Sequence, residues 1–305
     1  MSLKKTIGKF LPIVDGDERK ERIAKKVLKL HQQNNDIVNI HRYDMNNVGD
    51  YYCAPHLYFK ELNGKYLDIS DIRSLKKEVT KNWIKQVSNN SLIIGGGGLL
   101  NIKYFDRQMK LFEELGARGK KTVIWGAGHN ETDRSQFGKV KNYNVDLKKF
   151  GLVGTRDYSM DTEWIPCVSC LHSIFDNSYK ETQDIGILYS KKTIKNNKNL
   201  VNRLSDFPFT SNTTNLKDMI SFIGKSNTLV TDSYHAMYWA ILLGKKTLVV
   251  PTTSKFYDFK YKSVITTFEN FTNDLPKAQS YSGVLEESRE LNIKFAEKVF
   301  DYLNL

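Results

Sequence analysis

The chemistry in this chain is concentrated where apolar runs give way to short polar turns. Residues 229–251 read Leu-Val-Thr-Asp-Ser-Tyr-His-Ala-Met-Tyr-Trp-Ala-Ile-Leu-Leu-Gly-Lys-Lys-Thr-Leu-Val-Val-Pro. The pattern is a buried strand, a turn carrying Asp232 and Ser233, a helix with His235 in its first turn, and a second buried strand. Gly244 is placed to end that helix in a left-handed cap. A helix start offers free backbone N–H groups and a positive dipole end, which suits an anion. A histidine there is either a proton-transfer group facing an anionic ligand or a first-turn residue without chemistry. Asp232 is open to two roles, orienting His235 or capping the helix.

Three other turns share this form. Ser91-Leu-Ile-Ile-Gly-Gly-Gly-Gly-Leu-Leu100 runs a short apolar strand into four glycines, with a helical pattern beyond. Glycine lets backbone approach a ligand closely, so this is either an anion cradle or a turn that needs room. Thr122-Val-Ile-Trp-Gly-Ala-Gly-His-Asn130 ends in His129, and Gly151-Leu-Val-Gly-Thr-Arg-Asp-Tyr-Ser159 ends in Arg156 and Asp157. Arginine at a strand end matches carboxylate or phosphate in bidentate geometry. Asn46-Asn-Val-Gly-Asp50 reads as a further turn, with Asn47 and Asp50 as its polar groups.

In order and spacing these segments resemble the polysaccharide pyruvyl transferase family. The resemblance rests on Gly95–Gly98, on Arg156-Asp-Tyr-Ser159, on Ser233-Tyr-His235 through Gly244, on Asn46–Asp50, and on Glu287-Ser-Arg-Glu-Leu-Asn292, and spans roughly residues 44–302. It implies transfer of the pyruvyl group of phosphoenolpyruvate to a sugar diol of a glycan or glycan precursor, forming a cyclic ketal. His235 is then the acid–base residue. Gly96, Gly97, Gly98, Arg156, Ser233 and Tyr234 hold the donor, and Asn47, Asp50 and His129 face the acceptor; Tyr158 is a weaker candidate for the cleft. Neither a metal nor a cofactor is expected beyond the phosphoenolpyruvate co-substrate. Many family members carry arginine where this chain has Ser233, leaving Arg156 as the motif arginine. Two other readings stay open: a nucleotide-sugar glycosyltransferase of GT-B type, and a non-catalytic glycan-binding relative.

The elements that must position these residues alternate. Strand-like runs near 37–41, 91–94, 122–125, 151–155, 184–189, 228–231 and 247–250 are separated by helical patterns near 103–115, 215–225 and 234–243. A charged amphipathic helix is expected over 18–33 and a long one over 285–303. Alternation of this kind predicts parallel sheets. The fold expected is α/β, with two Rossmann-like domains facing a cleft, as in the GT-B architecture that the resemblance implies. Residues 1–180 would form the first domain, with 1–36 as a helical extension, and 181–305 the second.

Composition bounds the partners. The chain has 305 residues, 40% hydrophobic and 26% charged, as in ordinary globular proteins. Its formal net charge of +12 favours acidic ligands. A local run, Lys191-Lys-Thr-Ile-Lys-Asn-Asn-Lys198, reads as a solvated loop. No nucleic-acid-binding signature accompanies the charge. Cys167 and Cys170 form a single Cys-x-x-Cys with Cys53 far upstream, too few ligands for a zinc site, and read as buried small hydrophobes. Apolar runs fall short of the roughly 18 residues a membrane span needs. Met1–Val14 lacks the pattern of a signal peptide, so a cytoplasmic location is expected.

Overall fold

A computed structural model describes residues 16–305; Met1–Val14 lies outside the described residues. The first half contains helix α1 (Gly16–Leu28), strand β1 (Ile37–His41), the short helix α2 (Val48–Tyr52), β2 (Tyr66–Asp68), α3 (Lys77–Asn89), β3 (Ser91–Ile94), β4 (Gly97–Leu100), α4 (Asp106–Ala117), β5 (Thr122–His129), β6 (Leu152–Thr155) and β7 (Glu163–Trp164). The second contains β8 (Gln183–Tyr189), α5 (Lys191–Asn196), α6 (Lys198–Arg203), β9 (Phe209–Ser211), α7 (Leu216–Lys225), β10 (Ser226–Thr231), α8 (Tyr234–Leu242), β11 (Lys246–Val249), β12 (Val264–Ile265), α9 (Phe271–Asp274) and α10 (Val284–Leu303).

The strands form two parallel sheets. One has seven strands in the order β2-β1-β3-β5-β6-β7, with β4 pairing β5, and the other five in the order β12-β11-β10-β8-β9. Every pairing is parallel. The protein is thus a mixed α/β chain of Rossmann-like form. The near-continuous apolar runs of β3 and β5, buried along their length, are what a parallel sheet covered on both faces demands.

Strand order locates the ligand crevices. In the first sheet the chain leaves β1 for β2 on one side and β3 on the other; in the second it leaves β8 for β9 and β10. Open α/β sheets bind ligands outside the carboxyl ends of strands at such reversals. The glycines after β3 and the Asp232–His235 turn after β10 therefore occupy the favoured positions of their sheets.

Packing ties the halves together. Helices α1, α3 and α4 cover one face of the first sheet through Val27, Trp83, Val87, Met109 and Phe112. The other face is covered by α10, whose Phe295, Ala296 and Val299 join Ile93, Val123 and Trp125. The C-terminal helix therefore packs on the first sheet although it follows the second. All nine residues of α8 are buried, as befits a helix apolar on every side. Gly244 (φ 67°) ends that helix in the expected left-handed cap.

Candidate functional site

The four glycines differ from the expected strand–turn–helix. Gly97 and Gly98 begin β4 rather than a helix, and α4 starts only at Asp106. Gly95 and Gly96 are close-packed: a Cβ on Gly95 would lie 2.0 Å from the Trp125 carbonyl oxygen, and one on Gly96 2.2 Å from that of Cys53. The Gly96 N–H donates to that Cys53 oxygen (3.1 Å), so this amide is not free to hold a donor. Gly96 is here a packing residue. Gly97 and Gly98 do line a cavity of about 410 Å³, together with Asn47, Asp50, Arg156 and His235.

Arg156 directly follows β6 and is 1% exposed. Gly128 on neighbouring β5 leaves room for it, since a Cβ there would meet Arg156 Cγ at 2.7 Å and Nε at 2.8 Å. Its guanidinium lies 4.1 Å from the centroid of the Tyr234 ring, which α8 supplies from the second sheet. Neither Nε nor Nη2 has a hydrogen-bond partner. Buried donors without partners are costly, and a guanidinium at a cavity wall with two unused donors is chemically suited to an anion.

Lys255 joins this cavity from the loop after β11. Among the described residues it makes no ion pair, and its ammonium lies 5.8 Å from the centroids of Tyr234 and Phe256. Burial, and then the positive charge of Arg156, push its pKa down to about 8 against the pull of Asp50 and Asp232. Sequence reading missed this residue. Its position beyond the carboxyl end of a parallel strand was the available signal.

His235 lines this cavity and a second one of about 310 Å³ on the side of the second sheet. It is 7% exposed, with Nε2 3.6 Å from Cys167 Sγ. A Cβ on Gly49 would sit 2.2 Å from its Nδ1, so the glycine of the Asn-Val-Gly-Asp turn is what admits the imidazole. Burial, then the charges of Arg156 and Lys255, hold the ring well below the usual histidine range. This environment favours the uncharged imidazole.

Asn47 and Asp50 also line both cavities. Asn47 donates to Asp50 Oδ2 (2.8 Å) and accepts from the Asn212 amide (3.2 Å). Burial raises the Asp50 carboxyl, against the pull of Lys255. Ser233 forms the N-terminal boundary of α8 without a side-chain cap and lines the second cavity beside Tyr234.

One expectation is corrected and another relocated. Asp232 neither orients His235 nor caps α8. Its carboxylate accepts from the Ser190 N–H (2.6 Å), Ser190 Oγ (2.7 Å) and Thr193 Oγ1 (2.6 Å), fixing the start of α5. His129 lies outside the cavities that His235 lines and instead borders a smaller one: it is 2% exposed, with Nδ1 2.6 Å from Ser254 Oγ and Nε2 3.2 Å from Asp258 Oδ2. Its N–H donates to Asp157 Oδ2 (2.6 Å). His129 therefore ties the residue after Arg156 to the residue before Lys255. Tyr158 is half-exposed beside it, at a smaller cavity that His235 does not line. Cys53, Cys167 and Cys170 are free and buried.

A chain of two parallel sheets flanked by helices, with Arg156, Lys255 and His235 lining one cavity at the strand ends, is a Rossmann-like α/β protein. The profile of the family described as polysaccharide pyruvyl transferase matches residues 22–254. The chain belongs to that family, and the family's setting is the modification of polysaccharides with a sugar or glycan acceptor. No curated protein matches the chain significantly. Among the described residues no helix is long and apolar enough to cross a membrane.

Proposed function

We propose that this protein transfers the pyruvyl group of phosphoenolpyruvate to a sugar diol of a glycan or glycan precursor, forming a cyclic ketal. The observation that carries this reading is the buried Arg156 guanidinium with Nε and Nη2 unpartnered, beside an unpaired Lys255. Two cations in one cavity, with the raised Asp50 opposing them, suit a small ligand of several negative charges. Phosphoenolpyruvate offers a carboxylate and a phosphate on three carbons. In this reading Arg156, Lys255 and the Gly97–Gly98 backbone hold the donor, and Tyr234 supports Arg156 from below. Asn47 and Asp50 then meet the acceptor.

The chemistry balances with donor and diol alone. A proton adds to C3 of the enol, making a methyl group and an oxocarbenium-like C2. One sugar hydroxyl bonds to C2, the C2–O bond to phosphate breaks, and the second hydroxyl closes the ring. Of the two hydroxyl protons, one ends on the methyl group and one leaves with phosphate. The bound anion raises the proton affinity of His235, which then enters the reaction as imidazolium. It gives its proton to C3 as general acid and takes back the proton of the attacking hydroxyl as general base. The two sheets correspond, in this reading, to the two halves of a GT-B-like cleft, 1–180 and 181–305. In this reading the reaction is cytoplasmic.

The test is acceptor-dependent release of inorganic phosphate from phosphoenolpyruvate, with thermal-shift titrations of phosphoenolpyruvate and nucleotide sugars alongside. Phosphoenolpyruvate raises the melting temperature, and His235→Ala abolishes turnover while retaining that shift. Full turnover in His235→Ala removes the acid–base assignment. A response to nucleotide sugars without one to phosphoenolpyruvate overturns the donor.

A further inference from the structure

A second polar cluster, apart from the cavities that His235 lines, joins the two sheets. His129 ends β5, Asp157 lies just beyond β6, and Asp258 follows the turn Ser254–Tyr257 after β11. All three side chains are buried. His129 Nε2 lies 3.2 Å from Asp258 Oδ2 and 4.0 Å from Asp157 Oδ1, and one ligand atom from each residue falls within 4.8 Å of the others. Ligands about 2.0–2.2 Å from one ion lie roughly 3–4 Å apart, so both imidazole-to-carboxylate separations already suit a shared ion. The surrounding hydrogen bonds orient these groups. Asp157 Oδ2 accepts from the His129 N–H (2.6 Å) and the Tyr143 hydroxyl (2.9 Å), while Oδ1 has no partner in a side chain 1% exposed. Gly128 leaves that oxygen its space, since a Cβ there would lie 2.5 Å from it. Asp258 accepts from the Ser159 N–H and Oγ, both at 2.8 Å. Across the ring, His129 Nδ1 lies 2.6 Å from Ser254 Oγ. An Nδ1–H donated to that oxygen leaves the Nε2 lone pair for a metal.

We propose that His129 Nε2, Asp157 Oδ1 and Asp258 Oδ2 bind a first-row divalent transition-metal ion, which the family resemblance did not imply. The bare Asp157 oxygen carries the inference. A buried carboxylate oxygen without a donor, beside a second buried carboxylate, is a deficit that a cation meets. One imidazole with two carboxylates suits Zn²⁺ or Mn²⁺, whereas Mg²⁺ favours oxygen ligands alone. The adjoining cavity of about 200 Å³, lined by His129, Ser159, Ser254 and Asp258, gives the ion a path in and water the remaining coordination positions. Asp157 directly follows Arg156, and Asp258 closes the turn that carries Lys255. One ion therefore fixes, from opposite sheets, the two cationic side chains of the larger cavity. It takes no part in the transfer itself, and the site stands whether or not phosphoenolpyruvate is the donor.

The experiment titrates the full chain, freed of metal by dialysis against a chelator, with Zn²⁺, Mn²⁺ and Mg²⁺ in a calorimeter. A single equivalent of Zn²⁺ or Mn²⁺ is expected to bind and to raise the melting temperature, with Mg²⁺ at least about tenfold weaker. X-ray absorption of the loaded protein is expected to show one imidazole, oxygen ligands and no sulfur. The chain has six histidines. His41 and His56 would enter a metal shell as a pair, and His235 beside Cys167 Sγ would bring sulfur with it. Binding retained in His31→Gln/His172→Gln therefore leaves His129 as the ligand. Asp157→Asn and Asp258→Asn are expected to weaken the ion at least about tenfold. Where either fails to fold, the absorption spectrum and the His31/His172 variant decide. The proposal is overturned by absence of stoichiometric binding, by sulfur in the shell, or by Mg²⁺ binding as tightly as the others. Loss of binding in the His31/His172 variant, which marks an adventitious surface ion, overturns it too, as do folded Asn variants of parental affinity.

Discussion

The guanidinium of Arg156, at the end of β6 in the first sheet, lies 4.1 Å over the ring of Tyr234, at the start of α8 behind the second. Cation and ring come from opposite sides of the cleft, and the contact holds the guanidinium in place while its Nε and Nη2 remain unpartnered. The arrangement stores an unmet demand for an anion at the point where the two sheets meet.

That demand makes Arg156 a liability in the empty protein. Leaving a buried donor unsatisfied costs about 1–3 kcal/mol, more for a charged group. Arg156→Met, similar in length and apolar, is therefore expected to melt no lower than the parent. Its response to phosphoenolpyruvate is expected to vanish, although an intact site at 100 times its dissociation constant gains about 2.7 kcal/mol. Calorimetry of both proteins with and without the ligand checks this; a variant that melts well below the parent shows that Arg156 is structural.

Gly49 makes a sharper steric test. Its added methyl would overlap His235 Nδ1 at 2.2 Å, Cγ at 2.5 Å and Cβ at 2.7 Å, against a ring embedded in a fully buried helix. Overpacking of this kind costs about 1–3 kcal/mol and moves the ring. Gly49→Ala is expected to lower the melting temperature and remove activity, while Gly16→Ala, where nothing lies within 4 Å, changes neither. Equal behaviour of the two variants in activity and calorimetric assays refutes the steric argument.

Acid sensitivity follows from a buried histidine pair that includes the last residue of β1. His41 Nε2 and His56 Nε2 lie 3.2 Å apart, one donating and one accepting, so the two rings cannot both be charged. Burial, then the neighbouring His56, pushes His41 down to about 3, and burial pushes His56 down to about 4. In the unfolded chain both titrate near 6.5, so below that pH the unfolded state binds protons that the native state refuses. Their stabilising contribution is complete above about 6.5 and falls by about 1.4 kcal/mol per pH unit for each ring as the pH drops toward about 4. Urea unfolding between pH 6.5 and 4.5 measures the slope, and His41→Gln/His56→Gln should flatten it. An unchanged slope in that variant assigns the acid sensitivity to other groups.

Much of this architecture was legible because parallel strands announce themselves. Runs such as Ser91-Leu-Ile-Ile94 and Thr122-Val-Ile-Trp125 are apolar without alternation, and glycine or arginine marks where each stops. Arg156 and His235 stand out because a strand end and a helix start are local features. What stayed hidden was tertiary. The periodicity of α10 shows that it has an apolar face but not that Phe295 and Val299 cover the first sheet. Four glycines in a row suggest a cradle, yet only contacts reveal that Gly95 and Gly96 press on Trp125 and Cys53 while Gly97 and Gly98 face the cavity. Asp232 sits beside the helix start in sequence but turns to Ser190 and Thr193, forty residues away in register terms that no local pattern encodes. Lys255 lies in a single 3-10 turn (Ser254–Tyr257) too short to show a period, and a lysine between elements is by default a solvated one.

Lys255 also gives the donor site a pH signature. Its pKa of about 8 in the free protein means that the ammonium is largely lost above that value, while Arg156 stays charged. An anion binds the protonated form, so binding above pH 8 must be accompanied by uptake of one proton. Affinity for phosphoenolpyruvate is then expected to be flat from pH 7 to 8 and to fall about tenfold for each further pH unit. Lys255→Arg keeps its charge throughout and should extend the plateau upward, whereas Lys255→Met should bind weakly at every pH with no inflection near 8. Titration calorimetry in two buffers of different ionisation enthalpy counts the protons directly. If binding at pH 9 takes up none, or if Lys255→Met retains parental affinity at pH 7, Lys255 does not hold the anion and Arg156 must do so alone.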